Sequence, residues 1–277
     1  MAIISFWSNS KNETGKSASM AAIATLLGIN HNYKILILDT KYNDDFYENC
    51  YWQEDKTQKL INGNIMAINI ESGINGLAKA ILSNKTSPEI ITNYTRIVFT
   101  NNRLEVLTDT KIQPDEYETH KKLFKDIAKI ANRYYDLVFI DIDDELDENT
   151  KDSLLQVSDI IVVNMPQKLK EINGYLKTRE ENLIFKEKEI IPLLSRYDSY
   201  SKYNVKNVAR YIKEKRGVCS VPYNTLFFEA CSEGKVADLF IKLRKVSPKD
   251  RNAVFINSVQ ETIEHIITRL KELQMKM

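Results

Sequence analysis

The feature that most constrains the fold is a Gly-Lys-Ser triplet that stands between a buried strand and a helix. The apolar run AIISFW fits a buried strand, a polar loop follows, and KSASMAAIATLL is rich in helix formers. In such a loop Gly15 lets the backbone approach a phosphate, Lys16 supplies a cation, and Ser17 can ligate Mg²⁺. The dipole of the following helix also favours an anion at its N-terminus. We therefore predict a phosphate-binding loop, in preference to a solvated turn.

Apolar and helical segments alternate along the chain. A second apolar run, KILILD, ends at Asp39 and completes a strand–helix–strand unit, which implies a parallel sheet. Further runs predict strands at residues 65–70, 103–107, 137–142, 159–164, 189–194 and 218–221, and helices at residues 76–82, 88–93, 118–134, 205–216, 226–230, 236–244 and 253–273. This alternation predicts a doubly wound α/β fold, with a mostly parallel sheet flanked by helices. No linker rich in Pro, Gly or Ser interrupts it, so we expect one domain over residues 1–277, with a C-terminal docking helix within residues 250–277.

The composition narrows the class of protein. The 277 residues are long enough for a sizeable core, and the formal net charge of +1 means that attraction to nucleic acid or membrane needs a local patch. Three scattered cysteines without a CxxC pair argue against a disulfide framework and a cysteine zinc site. The first residues lack the basic and apolar regions of a signal peptide, and no apolar stretch is long enough to span a membrane. We expect a cytoplasmic protein.

A lysine stands four residues before the glycine of the phosphate loop. Together with the Gly-Lys-Ser triplet, Lys11 makes this loop resemble the deviant Walker A motif of the ParA/MinD group of dimerising P-loop ATPases. The resemblance implies that Lys11 reaches the nucleotide of a partner subunit in a homodimer, and that Lys16 is the Walker lysine. The loop residues implied to bind the nucleotide are Asn12, Glu13, Thr14, Gly15, Lys16, Ser17 and Ala18. A solvent-exposed charge is the alternative for Lys11.

Two acids match the metal-binding residues of this group. Asp39 ends the run KILILD, and Asp141 ends the run LVFID, where the group carries its Walker B aspartate. With Ser17, both would hold Mg²⁺, directly or through water. The implied catalytic residues are Lys11, Lys16, Asp39, Asp141 and Asp143.

The part of the resemblance that concerns the base lies in the last third of the chain. The segment from residue 221 to residue 234 resembles the group's adenine-side loop, in which Pro222 and Tyr223 would contact the base. The run LLSRYD lies where the group carries a base-reading asparagine, so we expect Arg196 to contact the nucleotide, although Ser195 replaces the asparagine itself. The NKxD signature of GTPases is absent. ATP and Mg²⁺ are therefore the implied cofactors.

Three departures from the group bear on hydrolysis. Asn12 and Glu13 replace the two loop glycines, and Lys41 replaces the aspartate that positions the attacking water. The acidic run DIDDE replaces a small residue and a proline after the Walker B aspartate. Its acids, Asp143 among them, either assist magnesium and the attacking water or cap a helix. We therefore predict slow or absent hydrolysis, as in atypical relatives of the TadZ/CpaE type.

Two segments are candidate partner surfaces. On a helix, Lys206, Arg210 and Lys213 would share one face, a pattern typical of a solvated face or of non-specific DNA binding through phosphates. The apolar stripe of the segment 253–273 favours packing on the chain's own sheet over a coiled-coil contact. Mixed charges on its polar face lead us to expect no membrane attachment.

Two functions follow from these features. The first is a nucleotide-switched dimerising ATPase that positions or partitions a cargo, either plasmid or chromosome DNA or a polar protein assembly, with an unidentified protein partner. The alternative is a non-hydrolysing nucleotide-binding adaptor of polar localisation, which Lys41 and Glu13 favour. A metabolic enzyme on the same fold is the least favoured, because no substrate-pocket residues can be recognised.

Overall fold

A computed structural model describes residues 1–10, 14–52, 73–84, 87–99, 103–109 and 112–276, and the strand expected at residues 65–70 lies outside these ranges. The strands are β1 (Ala2–Trp7), β2 (Ile35–Asp39), β3 (Arg96–Ile97), β4 (Leu104–Leu107), β5 (Leu137–Asp141), β6 (Ile160–Met165), β7 (Glu189–Tyr197) and β8 (Cys219–Pro222). They form one sheet in the order β3-β4-β2-β5-β1-β6-β7-β8. Neighbouring strands are parallel except β3 and β4, which are antiparallel. The doubly wound, mostly parallel sheet is therefore confirmed.

Helices cover both faces of this sheet. In chain order they are α1 (Lys16–Asn30), α2 (Phe46–Tyr51), α3 (Gly73–Leu82), a 3-10 helix (Pro88–Asn93), α4 (Pro114–Ala131), α5 (Glu148–Val157), α6 (Leu169–Glu181), α7 (Leu183–Glu187), α8 (Val205–Tyr211), α9 (Thr225–Ser232), α10 (Val236–Leu243) and α11 (Ala253–Gln274). The first face of the sheet packs against α1, α2 and α9 to α11. The second face packs against α3 to α8.

The central strands are apolar along their whole length because both of their faces are covered. All five residues of β2 are buried. Ile35 and Ile37 point into the core beneath α1, whereas Leu36 and Leu38 point into the core beneath α4. Alternation along a strand thus divides one apolar run between two cores. This burial also fixes the ends of the strands, where the polar side chains begin.

The C-terminal helix packs on the chain's own sheet. Its apolar stripe, Val259, Ile263, Ile266 and Leu270, is buried, and the helix contacts α1 and β8. Within the described ranges, no helix has the length and apolar character needed to cross a membrane.

Two predicted helices have different bounds. The helix expected at residues 118–134 begins earlier, at Pro114, because Gln113 and Glu116 form a capping box there. The helix expected at residues 205–216 ends at Tyr211, since the backbone at Lys213 turns to a φ of 55°.

Candidate functional site

The phosphate loop joins β1 to α1 at the carboxyl end of the sheet. Gly15 stands immediately before α1 with a φ of 74°. A Cβ atom at this position would lie 3.1 Å from Cβ of Ser195 and 3.2 Å from Cγ of Arg196, so close approach and backbone conformation both require glycine. No described side chain caps α1, and its first turn contains no acid. Its first N–H groups are thus suited to bind an anion.

Lys16 is buried among the acids that follow β5. Its ammonium lies 2.7 Å from Oδ1 of Asp144 and 3.6 Å from Oδ1 of Asp141, and it donates a hydrogen bond to the carbonyl of Ile142. Only 3% of its side chain is exposed. Lys16 is therefore held next to the loop by the strand that carries the predicted Walker B aspartate.

The sheet register brings the predicted metal residues together. Asp39 of β2 pairs directly with Asp141 of β5, and both carboxyl groups are fully buried. Ser17 lies across from them in the first turn of α1. The ammonium of Lys41 lies among these groups, 2.6 Å from Oγ of Ser17 and 3.4 Å from Oδ2 of Asp141. It also donates to Oδ2 of Asp44 at 2.7 Å.

Burial and the two ammonium groups set the charges of the buried aspartates. Burial disfavours the carboxylate of Asp141, but Lys41 and Lys16 outweigh it and hold the pKa of Asp141 below its ordinary value. For Asp39, burial outweighs the attraction of Lys41 and raises the pKa to about 8. Burial also opposes the charge of Lys41, yet Asp141, Asp39 and Asp44 raise its pKa well above the ordinary value. Lys41 is therefore an ammonium at every physiological pH.

This arrangement does not fit Mg²⁺. The ion binds oxygen at about 2.0–2.1 Å and needs near-octahedral coordination. An ion bound to Oγ of Ser17 on the side that faces Asp141 would overlap the ammonium of Lys41, which is 2.6 Å from the same oxygen. The described residues also contain no group of three His, Cys, Asp or Glu side chains that could hold a metal. The metal role of Ser17, Asp39 and Asp141 stays a prediction that conflicts with the position of Lys41.

The acids after β5 do not cap a helix. Asp147, outside the acidic run, caps α5 by accepting a hydrogen bond from N–H of Thr150 at 2.9 Å. Asp143 instead accepts from N–H of Glu145 at 3.1 Å and from the hydroxyl of Tyr117 at 3.3 Å. It lines the phosphate side of the site, and its catalytic role stays a prediction.

The phosphate loop opens into a groove with two parts. A polar cavity of about 300 Å³ is lined by Thr14, Gly15, Lys16, Ser17, Ala18, Lys41, Asp44, Phe46, Asp143, Asp144, Glu145 and Arg196. A more apolar cavity of about 130 Å³ is lined by Gly15, Ala18, Ser19, Phe46, Arg196, Val221, Pro222, Tyr223, Asn224, Phe227, Phe228 and Cys231. Gly15, Ala18, Phe46 and Arg196 belong to both, so the two parts adjoin. The groove offers cations at one end and aromatic rings at the other.

Arg196, not Ser195, faces this groove. Ser195 is buried in the sheet, where its hydroxyl accepts a hydrogen bond from the amide of Asn164 at 2.9 Å. Arg196 lies at an irregularity in the pairing of β7 and β8 and has a φ of 48°. This backbone conformation directs its side chain over Gly15. Strained non-glycine residues of this kind are concentrated at functional sites.

The predicted nucleotide residues separate into three groups. Lys11, Asn12 and Glu13 lie outside the described residues. The structure brings the other loop residues, together with Arg196, Pro222 and Tyr223, to one groove. Several contributors were not predicted: Asp44, Phe46, Tyr47, Asp144 and Phe228. The acid–aromatic run DDFY, directly after the second strand, is the signal that could have identified most of them.

The basic residues predicted for DNA binding are exposed but do not share one helix. Lys206 and Arg210 lie on α8, whereas Lys213 lies beyond its end. The interpretation as a single helical face is therefore correct only for the first two.

Comparisons with known proteins identify the fold. No family model matches the chain, and no curated protein matches its sequence. Among solved structures, a ParA family ATPase from Chlorobium tepidum TLS is 16% identical with a TM-score of 0.64 and covers 92% of this chain and 95% of its own. MinD from Pyrococcus horikoshii OT3, complexed with Mg-ADP, is 16% identical with a TM-score of 0.64 over 96% of this chain and 97% of its own. A plasmid partition protein from Borrelia burgdorferi B31, bound to AMPPNP, is 20% identical with a TM-score of 0.61 over 97% and 99%. The chain has the fold of the ParA/MinD ATPases.

Proposed function

We propose that this chain binds ATP in the groove beside the phosphate loop and acts as a nucleotide-dependent dimer that positions a cargo, with slow hydrolysis. The observation that carries the proposal is the continuity of the groove. One end has the uncapped N-terminus of α1 and Lys16, and the other end has the aromatic rings of Tyr223 and Phe228. An anion binds at the first end, and a nucleobase stacks at the second. A nucleotide has these two parts.

The aromatic end is open to a ligand. Tyr223 and Phe228 are more than half exposed, and their ring centroids are 6.1 Å apart. Phe46 and Arg196 lie between this pair and the phosphate loop. Large apolar rings exposed at the mouth of a cavity favour a flat ligand that covers them.

Nucleotide binding is tested by calorimetric titration of the whole chain with ATP, ADP and GTP. Arg196→Ala should weaken ATP binding about tenfold, because the variant loses a cation that lines both parts of the groove. Tyr200→Ala is the matched control, since Tyr200 follows in the same segment and is 97% exposed. If ATP binds the wild type and Arg196→Ala equally, the groove is not the site.

Dimerisation and cargo rest on the comparisons alone. The similar structures include a MinC:MinD cell division protein complex from Aquifex aeolicus, so a partner-bound state is known for a protein of this fold. Light scattering without nucleotide, with ADP, and with ATP and Mg²⁺ tests the dimer. We expect a dimer with ATP that Lys11→Ala abolishes. A dimer that is insensitive to nucleotide and to Lys11 would contradict the switch.

One observation favours the second candidate, a non-hydrolysing adaptor. Lys41 contacts both Ser17 and Asp141, the two residues on which an active site of this type depends for its metal. Phosphate release measured over hours, with Lys41→Asp as the comparison, separates slow turnover from none.

Non-specific DNA binding is also proposed for the basic surface. Lys206 and Arg210 are exposed, and Lys213 lines a cavity of about 500 Å³ with Lys215 and Arg216. We expect the double variant Lys206→Glu/Arg210→Glu to weaken binding of a DNA duplex and to reduce the salt dependence by about two ions.

The control for the DNA measurement is Lys242→Glu, an exposed lysine on α10, on the other face of the sheet. Equal binding by the wild type and the double variant would leave this surface as a solvated helix face.

A further inference from the structure

The ammonium of Lys41 is held by three different segments of the chain. It donates to Oγ of Ser17 in α1 at 2.6 Å and to Oδ2 of Asp44, before α2, at 2.7 Å. It lies 3.4 Å from Oδ2 of Asp141 at the end of β5. An ammonium has three donors and no acceptor, so these oxygens account for its directional bonding.

The rest of the residue is fixed as well. The backbone N–H of Lys41 donates to Oδ1 of Asp39 at 3.2 Å. The ammonium lies 5.5 Å and 5.9 Å from the ring centroids of Phe46 and Tyr47. Asp44 is itself held by N–H of Phe46 at 2.9 Å. Only 19% of the Lys41 side chain is exposed. Lys41 is thus an internal part of the site and differs from a surface lysine.

The oxygens around Lys41 are already engaged. Oδ2 of Asp141 accepts a hydrogen bond from the hydroxyl of Tyr47 at 2.8 Å, in addition to facing Lys41. Oδ1 of the same carboxylate faces Lys16 at 3.6 Å. The carboxylate therefore has a cation on each oxygen without any metal. This is the arrangement that a divalent ion would otherwise be needed to stabilise.

We propose that Lys41 is the built-in cation of this site, so that the nucleotide binds without Mg²⁺. The proposal rests on the nucleotide binding proposed above. Lys41 and Lys16 line the same polar cavity, where the phosphates of that nucleotide would lie. Two fixed ammonium groups then neutralise a phosphate chain that usually enters such a site with a divalent ion. Because Mg²⁺ and the ammonium compete for one position, added Mg²⁺ does not strengthen binding.

The test is a calorimetric titration of the full chain with ATP and with ADP, in EDTA and in excess MgCl₂. For the wild type we expect the Kd to differ by less than about threefold between the two conditions. Lys41→Met keeps an apolar stem of similar length and removes the charge. We expect its Kd in EDTA to rise at least about tenfold, with part of the loss restored by MgCl₂.

Further variants keep the test decisive. Lys177→Met is the matched control, because Lys177 pairs with one carboxylate of its own helix and is 73% exposed. If Lys41→Met does not fold, Lys41→Gln replaces it, since the amide still donates to Ser17 or Asp44 but carries no charge. Lys41→Asp restores the acid of the group's pattern. Electron paramagnetic resonance of Mn²⁺ with ADP should show bound ion in this variant and free ion with the wild type.

The possible failures are distinguishable. ATP and ADP that bind the wild type only with MgCl₂ would overturn the role of Lys41 and leave nucleotide binding intact. Equal binding to the wild type and Lys41→Met in EDTA would also overturn it, because another group would then be the cation. No binding to the wild type in either condition would refute the proposed nucleotide site, and the role of Lys41 with it.

Discussion

Replacing Lys41 by methionine should destabilise the nucleotide-free protein by about 3 kcal/mol, because removing one partner of a buried ion pair leaves the other without compensation. Asp141 is fully buried and would lose the ammonium 3.4 Å from its Oδ2. It would keep Lys16, 3.6 Å from Oδ1, and the hydroxyl of Tyr47. These remaining partners place the expected loss at the low end of the range for buried pairs, about 3–5 kcal/mol.

The assay is urea unfolding followed by circular dichroism in EDTA, with the free energy of unfolding extrapolated to zero urea. A double variant, Lys41→Met/Asp39→Asn, tests the origin of the loss. Asp39 lies within the field of Lys41, so the two changes should not be additive, with a coupling of about 0.5–3 kcal/mol. Lys177→Met, a change at an exposed lysine, should alter the free energy by less than about 0.5 kcal/mol.

Magnesium supplies the decisive comparison. In Lys41→Met the position near Ser17 and Asp141 becomes accessible, and Mg²⁺ at ten times its Kd should restore about 1.4 kcal/mol. The wild type should gain nothing. A loss below about 1 kcal/mol in Lys41→Met would mean that Lys41 acts as a solvated surface charge. Equal stabilisation of wild type and variant by Mg²⁺ would show that the ion and the ammonium coexist, and would refute the competition inferred above.

Three other changes test the surroundings of the site. The folded-state pKa of Asp39 is about 8, above the ordinary 3.8, so its contribution to stability falls as pH rises through that window; Asp39→Asn should flatten this part of the melting-temperature profile between about pH 5 and pH 9. Tyr47→Phe removes a donor to buried Asp141 and should cost about 2 kcal/mol in urea unfolding, whereas Tyr42→Phe, at a half-exposed ring, should cost less than about 0.5 kcal/mol. Phe240→Ala, which opens a cavity between two neighbouring phenylalanine rings, should cost about 3–5 kcal/mol in the same assay; a loss below about 1 kcal/mol would show that the helices repack.

The parts of the fold that could be predicted are those with strong apolar periodicity. β2 and β5 are continuous apolar runs, each ended by an acid, and the sheet register then places those acids side by side. The helices α5 and α6 were not predicted because each buries only two residues, Leu154 and Leu155 in one and Ile172 and Tyr175 in the other. Two buried residues make no detectable stripe. The helices are held by the core that their neighbours complete.

The same distinction applies to the site. The Gly-Lys-Ser triplet was readable because its chemistry depends on consecutive residues. The position of the Lys41 ammonium was not, because it depends on the register of β2 against β5 and on the first turn of α1. The sequence shows that a lysine replaces an acid at residue 41, and hence that the water-positioning group is missing. Only the contacts to Ser17 and Asp141 show that the replacement supplies a cation.

This difference decides how a switch could work in such a chain. A bound Mg²⁺ enters and leaves with the nucleotide, so a metal-dependent site changes its charge at each exchange, whereas the ammonium of Lys41 is present in every state. The nucleotide-free site would then already be compensated, and the free energy available to drive a conformational change would come from the phosphates and from any partner residue that contacts them. An ammonium bonded to Ser17 and Asp141 also cannot coordinate the phosphate oxygens as a metal does, which removes one source of transition-state stabilisation. A chain with this site would therefore respond to nucleotide by binding more than by turnover, and phosphate release slower in the wild type than in Lys41→Asp with MgCl₂ would show that the lysine imposes this limit.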